Sequence, residues 1–300
     1  MLEFPGVHVS LVTPRGKQGD VDFSAAFEMV DHCCKAGIRG VLLFGEEGEY
    51  PAFTVVERSR LVYLAVKRSP VPVLVGVGSP TLDLSVELAQ EALGAGAAAV
   101  LLPPPCFYHY QPDEIAEFCT QFARHMERDA AIFLYNTPCT ASETPVETAV
   151  RLLETGLFAG IDDAGGDPQS FACLRAAAGR GSFQLLVGHD RLFPAARAAG
   201  CGAVSAAACA VPELLVALDR VTGAGNRAEV DRLSGLLGEF LDWTARFPQP
   251  VMVKTAAALR GLKTGPLPVP LSPGKQRLLE EFREWFRDWL PAMKKLAANV

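Results

Sequence analysis

Residues 130–164, AAIFLYNTPCTASETPVETAVRLLETGLFAGIDDA, read as two short apolar runs separated by one helical stretch. The runs, AAIFLYNTP at 130–138 and FAGIDDA at 158–164, are apolar through their middles rather than alternating. That is the pattern of strands buried on both faces. Between them, Thr144 and Pro145 with Glu147 predict a helix start: a hydroxyl, a proline at the first helical position and an acid three residues after the hydroxyl. A strand, a helix and a second strand form one βα repeat.

The same unit recurs in both directions. Apolar runs begin near Val7 (VHVSLVTP), Gly40 (GVLLFG), Val71 (VPVLVGVG) and Ala98 (AAVLLPPP), and again near Phe183 (FQLLVGHD) and Gly202 (GAVSAAA). Each is followed by a stretch of helical period. Asp22 or Ser24 is placed to cap the first helix, and Thr54 with Glu57 has capping-box spacing. Gly37, Gly94, Gly96 and Gly200 are expected helix stops. Eight consecutive units predict an α/β chain folded as a (β/α)8 TIM barrel, in preference to a doubly wound open sheet. No G-x-G-x-x-G follows a strand and no G-x-x-x-x-G-K-[ST] is present, so nucleotide-fold fingerprints are missing.

Beyond Val221 the strands stop. RAEVDRLSGLLGEFLDWTARF, VMVKTAAALRGL and KQRLLEEFREWFRDWLPAMKKLA all have helical period. The expected division is a barrel over 1–221 and an all-helical C-terminal segment over 222–300. Leu278, Phe282, Trp285, Phe286 and Trp289 fall on one helix face, expected to pack on the barrel, with a subunit contact as the alternative.

Composition narrows the function classes. Of 300 residues 49% are apolar and 21% charged, which supports a full core and excludes intrinsic disorder. The 28 basic and 34 acidic residues give a net charge of −6, so no nucleic-acid partner is expected. No apolar run is long enough to span a membrane and no signal-peptide pattern opens the chain, so a cytoplasmic protein is expected. The eight cysteines include no C-x-x-C and read as reduced, with Cys106 and Cys139 falling in loops near the expected site.

In a barrel of this kind the chemistry sits at the C-terminal ends of the strands. Those ends carry Gly45-Glu46-Glu47-Gly48-Glu49, Pro103-Pro104-Pro105-Cys106-Phe107-Tyr108, Tyr135-Asn136-Thr137-Pro138, Asp162-Asp163, Gly188-His189-Asp190 and Val204-Ser205. G-x-x-G-E, Y-N-x-P and the G-I-x-x-x-x-G-D that begins at Gly160 resemble the dihydrodipicolinate synthase and N-acetylneuraminate lyase family. So do the opening G-V-x-V-x-L-V-T-P, V-D-F at 21–23, T-x-x-E-R at 54–58, P-V-x-V-K-x-A-A-A-L at 250–259 and P-L-P-V-P-L-S at 266–272. The resemblance runs through essentially the whole chain, in order. It implies a barrel aldolase in which a lysine at the end of strand six forms a Schiff base with pyruvate or a related 2-keto acid. The strand-five tyrosine, here Tyr135, relays protons, and the G-x-x-G-E loop grips the carboxylate. A homotetramer or homodimer is implied as well, with the strand-four loop near the partner's site, and no cofactor.

The sequence departs from that pattern where it matters most. The family's G-I-K is here Gly160-Ile161-Asp162, and a carboxylate cannot form an imine. The two hydroxyl positions of the carboxylate grip are Glu46 and Glu47, the family's arginine after Y-N-x-P is Thr140, and its strand-four tyrosine is Phe107, with Tyr108 adjacent. Of the eight lysines, only Lys17 lies in a loop on the expected face; Lys35 and Lys67 sit at the opposite ends of helices, and the remaining five belong to the helical segment. Two carboxylates about 4 Å apart repel by ~4 kcal/mol at an effective dielectric near 20, so a third anion such as pyruvate is expected to bind poorly.

Three readings stay open. One is a carbon–carbon or carbon–oxygen lyase acting on a non-pyruvate small molecule, with Tyr135, Glu46 and Asp162 as catalytic proton handlers. Its substrate would be neutral or cationic, bound by Gly45, Glu47, Gly48, Phe107, Tyr108, Thr140 and Val204. Another is a metal-assisted lyase in which Glu46, Asp162 and His189 or Asp190 hold a divalent ion. The last is a non-catalytic member that binds a small molecule. Glu49, Asp163, Asn136 and His189 read as structural residues of the loops.

Overall fold

A computed structural model describes residues 3–298. Eight strands run in chain order: β1 (Val7–Ser10), β2 (Gly40–Leu43), β3 (Val73–Gly76), β4 (Ala99–Leu102), β5 (Ile132–Asn136), β6 (Gly160–Asp163), β7 (Gln184–Val187) and β8 (Gly202–Ser205). Each is parallel to the next, and β8 pairs with β1 to close the barrel, as the repeat predicted. The helices that cover it are α1 (Phe23–Lys35), α2 (Val55–Arg68), α3 (Leu82–Ala95), α4 (Pro112–Arg124), α5 (Val146–Glu154), α6 (Pro168–Ala178), α7 (Phe193–Ala198) and α8 (Pro212–Gly223).

The strands explain their own burial. Phe4, Leu42, Leu74, Leu101, Phe133, Leu186 and Val204 fill the barrel interior. The alternate strand residues, among them Val9, Val41, Val75, Val100, Leu134 and Ile161, pack outward under the helices. Continuous apolar runs are what two such layers require.

Most helix starts follow the sequence. Asp22 accepts from Ala25 N–H at 3.0 Å. Thr54 and Glu57 form the full capping box, with Glu57 N–H to Thr54 Oγ1 at 3.3 Å and Thr54 N–H to Glu57 Oε2 at 2.9 Å. Two expectations are corrected. Thr144 does not cap α5, whose N-cap is Pro145 with no side-chain bond; the helix starts one residue later than the spacing predicts, and Thr144 is tied back to β5 through its N–H, which Asn136 Oδ1 accepts at 3.2 Å. Gly94 lies inside α3, which ends at Gly96 with φ of 103°, a left-handed turn that suits glycine.

Three further helices, α9 (Arg227–Thr244), α10 (Val251–Leu259) and α11 (Pro273–Ala298), follow the barrel. The predicted aromatic face of α11 packs inward. Phe282 and Phe286 are fully buried against Phe240 of α9, and Trp289 stacks on Phe240 with ring centroids 6.0 Å apart. The helical segment therefore shares one apolar core with α8 and the barrel. Among the described residues no helix is long and apolar enough to cross a membrane.

Candidate functional site

The loop after β2 is shaped by backbone constraint. Phe44 and Glu49, which flank it, both have left-handed backbone (φ 56° and 52°), a conformation that costs non-glycine residues of order 1 kcal/mol or more. Glycine is needed where the loop doubles back: a Cβ on Gly48 would stand 2.7 Å from Phe44 Cα, and one on Gly76 would stand 2.0 Å from Phe44 O. Thr13 Oγ1 donates to Gly48 O at 2.8 Å. Arg58, buried, donates to Gly78 O at 2.9 Å and Gly76 O at 3.0 Å, tying α2 to the end of β3. Glu49 is held by a buried ion pair with Lys254 of α10. Lys254 lies in the helical segment as expected, and α10 brings its ammonium to the β2 loop.

Against this loop lies a cavity of about 260 Å³ at the C-terminal ends of the strands. Ser10, Glu46, Glu47, Tyr135, Asp162 and Val204 line its floor, with His189, Asp190 and Arg191 on the β7 side. Residues of α9 and the segment after it, from Leu241 to Gln249, form its outer wall. Ser10 Oγ donates to Glu47 Oε2. Thr137 Oγ1 donates to Glu46 Oε2 at 2.7 Å, and Glu46 N–H donates to the Tyr135 hydroxyl oxygen at 3.1 Å. Tyr135 and Asp162 are register partners on β5 and β6, which places phenol and carboxyl side by side. Asp162 is fully buried, and neither of its carboxyl oxygens has a hydrogen-bond partner among the described residues.

The electrostatics follow from that crowding. Burial, then Asp163 and then Glu47, push the Asp162 carboxyl well above the usual carboxylate range. Burial and the neighbouring Glu46 push Glu47 up to about 8, against the pull of the Ser10 hydrogen bond. Glu46 is raised by burial, with Thr137 opposing. Burial and then Glu47 and Asp162 push the Tyr135 phenol well above its ordinary value. Burial and mutual repulsion therefore favour the protonated forms of Asp162, Glu47 and Tyr135, acids placed to donate, with Glu46 raised beside them.

The sequence-predicted residues divide into two groups. Tyr135, Glu46, Glu47, Asp162 and Val204 meet at the cavity. Gly45 and Gly48 shape the loop and are not among the described lining residues; a Cβ on Gly45 would stand 2.9 Å from Ser10 Oγ. Thr140 is buried in its own loop, donating to Thr137 O at 3.1 Å and Ser142 O at 2.8 Å. Phe107 and Tyr108 stand in solvent away from the cavity of this chain, edge to face at 4.8 Å. The loop assignments hold for Asn136, which donates to Asp163 Oδ1 at 2.8 Å, and for Asp163, which accepts from Gly165 N–H at 3.4 Å.

Sequence reasoning missed Ser10, Arg191 and the α9 wall. Ser10 stands inside the quoted opening motif, next to the strand end, and was the one with a readable signal. Asp190, a candidate metal ligand from the sequence, accepts from Ser205 Oγ and from Ala207 N–H at 2.9 Å, so it braces the β8 end. Burial raises it to about 6. Among the described residues no group of three or more histidine, cysteine, aspartate or glutamate side chains is placed to hold a metal ion.

Comparison with known proteins supplies the family. A model of the dihydrodipicolinate synthetase family matches residues 3–287. The chain is 30% identical over 300 residues to the 4-hydroxy-tetrahydrodipicolinate synthase of Methanothrix thermoacetophila, covering 99% of both chains. It is 30% identical over 274 residues to an uncharacterized DapA-like lyase of Halobacterium salinarum, covering 90% of this chain and 89% of that one. Among solved structures, a dihydrodipicolinate synthase of Bacillus anthracis superposes with a TM-score of 0.86 at 27% identity, covering 95% of this chain and 99% of that one. The 4-hydroxy-tetrahydrodipicolinate synthase of Methylacidiphilum fumariolicum gives 0.86 at 27%, covering 98% and 99%.

Proposed function

The chain belongs to the dihydrodipicolinate synthetase family, and on that premise we propose that it is a lyase of this barrel class that works by carboxylate and tyrosine acid–base chemistry instead of through a Schiff base. Its substrate is a small molecule other than pyruvate. The observation that carries the reading is the cavity itself, where Glu46, Glu47 and Asp162 surround Tyr135 and no lysine stands among the described lining residues. An amine nucleophile has no counterpart there. A protonated Asp162 beside the Tyr135 hydroxyl can deliver a proton to a leaving oxygen or carbon, and Glu46 can accept one. The metal-assisted alternative lacks a converged ligand set among the described residues. We place the protein in the cytoplasm, in keeping with eight free cysteines, and propose a homodimer or homotetramer.

The test has two arms. In the first, the chain is reduced with borohydride in the presence of pyruvate and weighed intact, beside a pyruvate-dependent aldolase of the family. No adduct is expected here while the aldolase labels; a stable pyruvate adduct overturns the proposal and makes Lys17 the first residue to substitute. In the second, the site carboxyls are titrated by carbon NMR. A carboxyl titrating near neutrality that vanishes in Glu47→Gln supports acid–base catalysis. Carboxyls with ordinary acidity throughout would leave a protein that only binds.

A further inference from the structure

Resting on that reading of the cavity, we propose that the ligand carries an ammonium group, and that its nitrogen sits between the carboxyls of Asp162 and Glu47 beside the Tyr135 hydroxyl. The first observation is Asp162 itself. Both oxygens are without a hydrogen-bond partner among the described residues, the side chain is fully buried, and it lines the cavity. Leaving a buried polar group unsatisfied is costly, more so when it is charged, so such a group calls for a donor. Glycine at 188 leaves the carboxyl its place against the cavity, since a Cβ there would stand 3.0 Å from Asp162 Oδ1.

The surrounding charges select the kind of donor. Facing Asp162 are Glu46 and Glu47 from the β2 loop, Tyr135 from β5, Asp163 beside it, and His189, Asp190 and Arg191 from the β7 loop. Arg191 is the one permanent cation among the described lining residues, and it pairs with Asp242 of α9 at 2.6 Å, half exposed at the rim. Burial, and then Arg191, hold His189 below its ordinary value, on the neutral side. The floor is therefore acidic with no cation of its own. A polyol could satisfy one lone pair of a neutral Asp162 but would leave the carboxyls protonated. An ammonium brings three donors and a charge, so it takes the place of one proton shared by Asp162 and Glu47, and the site's total charge is unchanged while one acid is left to donate. An anion meets only repulsion.

The experiment is isothermal titration calorimetry on the full chain at neutral pH with three probes on one carbon skeleton: serinol (2-amino-1,3-propanediol), glycerol and glycerate. Serinol is expected to bind about tenfold or more tighter than either of the others, and to release protons, read as a dependence of the heat on the buffer's ionisation enthalpy. In Asp162→Asn, folded by circular dichroism, serinol affinity is expected to fall about tenfold or more and the proton release to diminish. The wild-type probe series stands by itself if the variant does not fold. Failure of serinol to bind, equal binding of glycerol or glycerate, serinol binding without proton release, or unaltered binding by Asp162→Asn each overturns the proposal. So does displacement of serinol by magnesium or manganese ions, which would make the site a metal site. Binding is scored without turnover, so serinol binding with proton release beside a stable pyruvate adduct sinks the catalytic reading alone. Near-neutral titration without serinol binding sinks only the ligand class.

Discussion

Glu47 shows what a single residue does to the whole molecule's response to pH. Its carboxyl is held near 8 in the folded chain and returns to an ordinary value near 4.5 when the chain unfolds. Between those values the folded state keeps a proton that the unfolded state has released, so stability falls as pH rises through that window. The contribution is fully present below about 4.5 and is lost as pH passes about 8. Burial raises Asp162 and Asp190 as well, and both act in the same direction. Glu47→Gln, which carries no charge to bury, is expected to flatten the curve: little change at acid pH and a gain on the order of a few kcal/mol at alkaline pH, read from urea melts across that range. A variant as pH-sensitive as the wild type would mean that Glu47 is ionised in the folded protein. At this scale the sequence made Glu46, Glu47, Asp162 and Tyr135 legible, because they lie at or just beyond the ends of strands of a recognisable repeat. It could not reveal that Asp162 lacks partners, since partners come from strands far apart in the chain.

A buried ion pair between Lys254 of α10 and Glu49 of the β2 loop joins two elements at the site. Neither end is free to find water, so removing one charge strands the other. Lys254→Met is expected to cost about 3–5 kcal/mol, measured by chemical denaturation, and Glu49→Gln added to it should recover part of that loss. A loss in the double variant equal to the sum of the two single losses would show that the two charges are not coupled. The pairing also explains why the loop tolerates left-handed backbone at Glu49, because the surrounding contacts over-determine it. Local signals found the elements themselves well: the capping box of α2 and the aromatic face of α11 both formed as read. They failed at Thr144, whose N–H donates to Asn136 eight residues earlier and which stands one residue before the N-cap Pro145. A long-range fold brings that amide to the end of β5, and capping spacing carries no trace of it.

For the whole molecule, the exposed pair Phe107 and Tyr108 is the feature that a single chain leaves without a purpose, at 71% and 65% exposure. Two adjacent aromatic rings in water are costly enough to expect cover by a second copy of the chain. Phe107→Asp with Tyr108→Asp is expected to shift sedimentation toward the monomer, and an unchanged sedimentation coefficient would move the subunit contact elsewhere. The barrel was determined by the sequence alone, since eight apolar runs alternating with helical stretches have few ways to bury both faces of a sheet except closure. The identity of the acids at the strand ends was determined there too. Three things were decided only in three dimensions: the absence of partners at Asp162, the wall that α9 and the segment after it put across the cavity, and Lys254 planted beneath the β2 loop. Periodicity reports which face of an element is apolar, a local property of the chain. Hydrogen-bond satisfaction and charge pairing depend on distances between residues up to 205 positions apart, and those distances exist only once the barrel has closed.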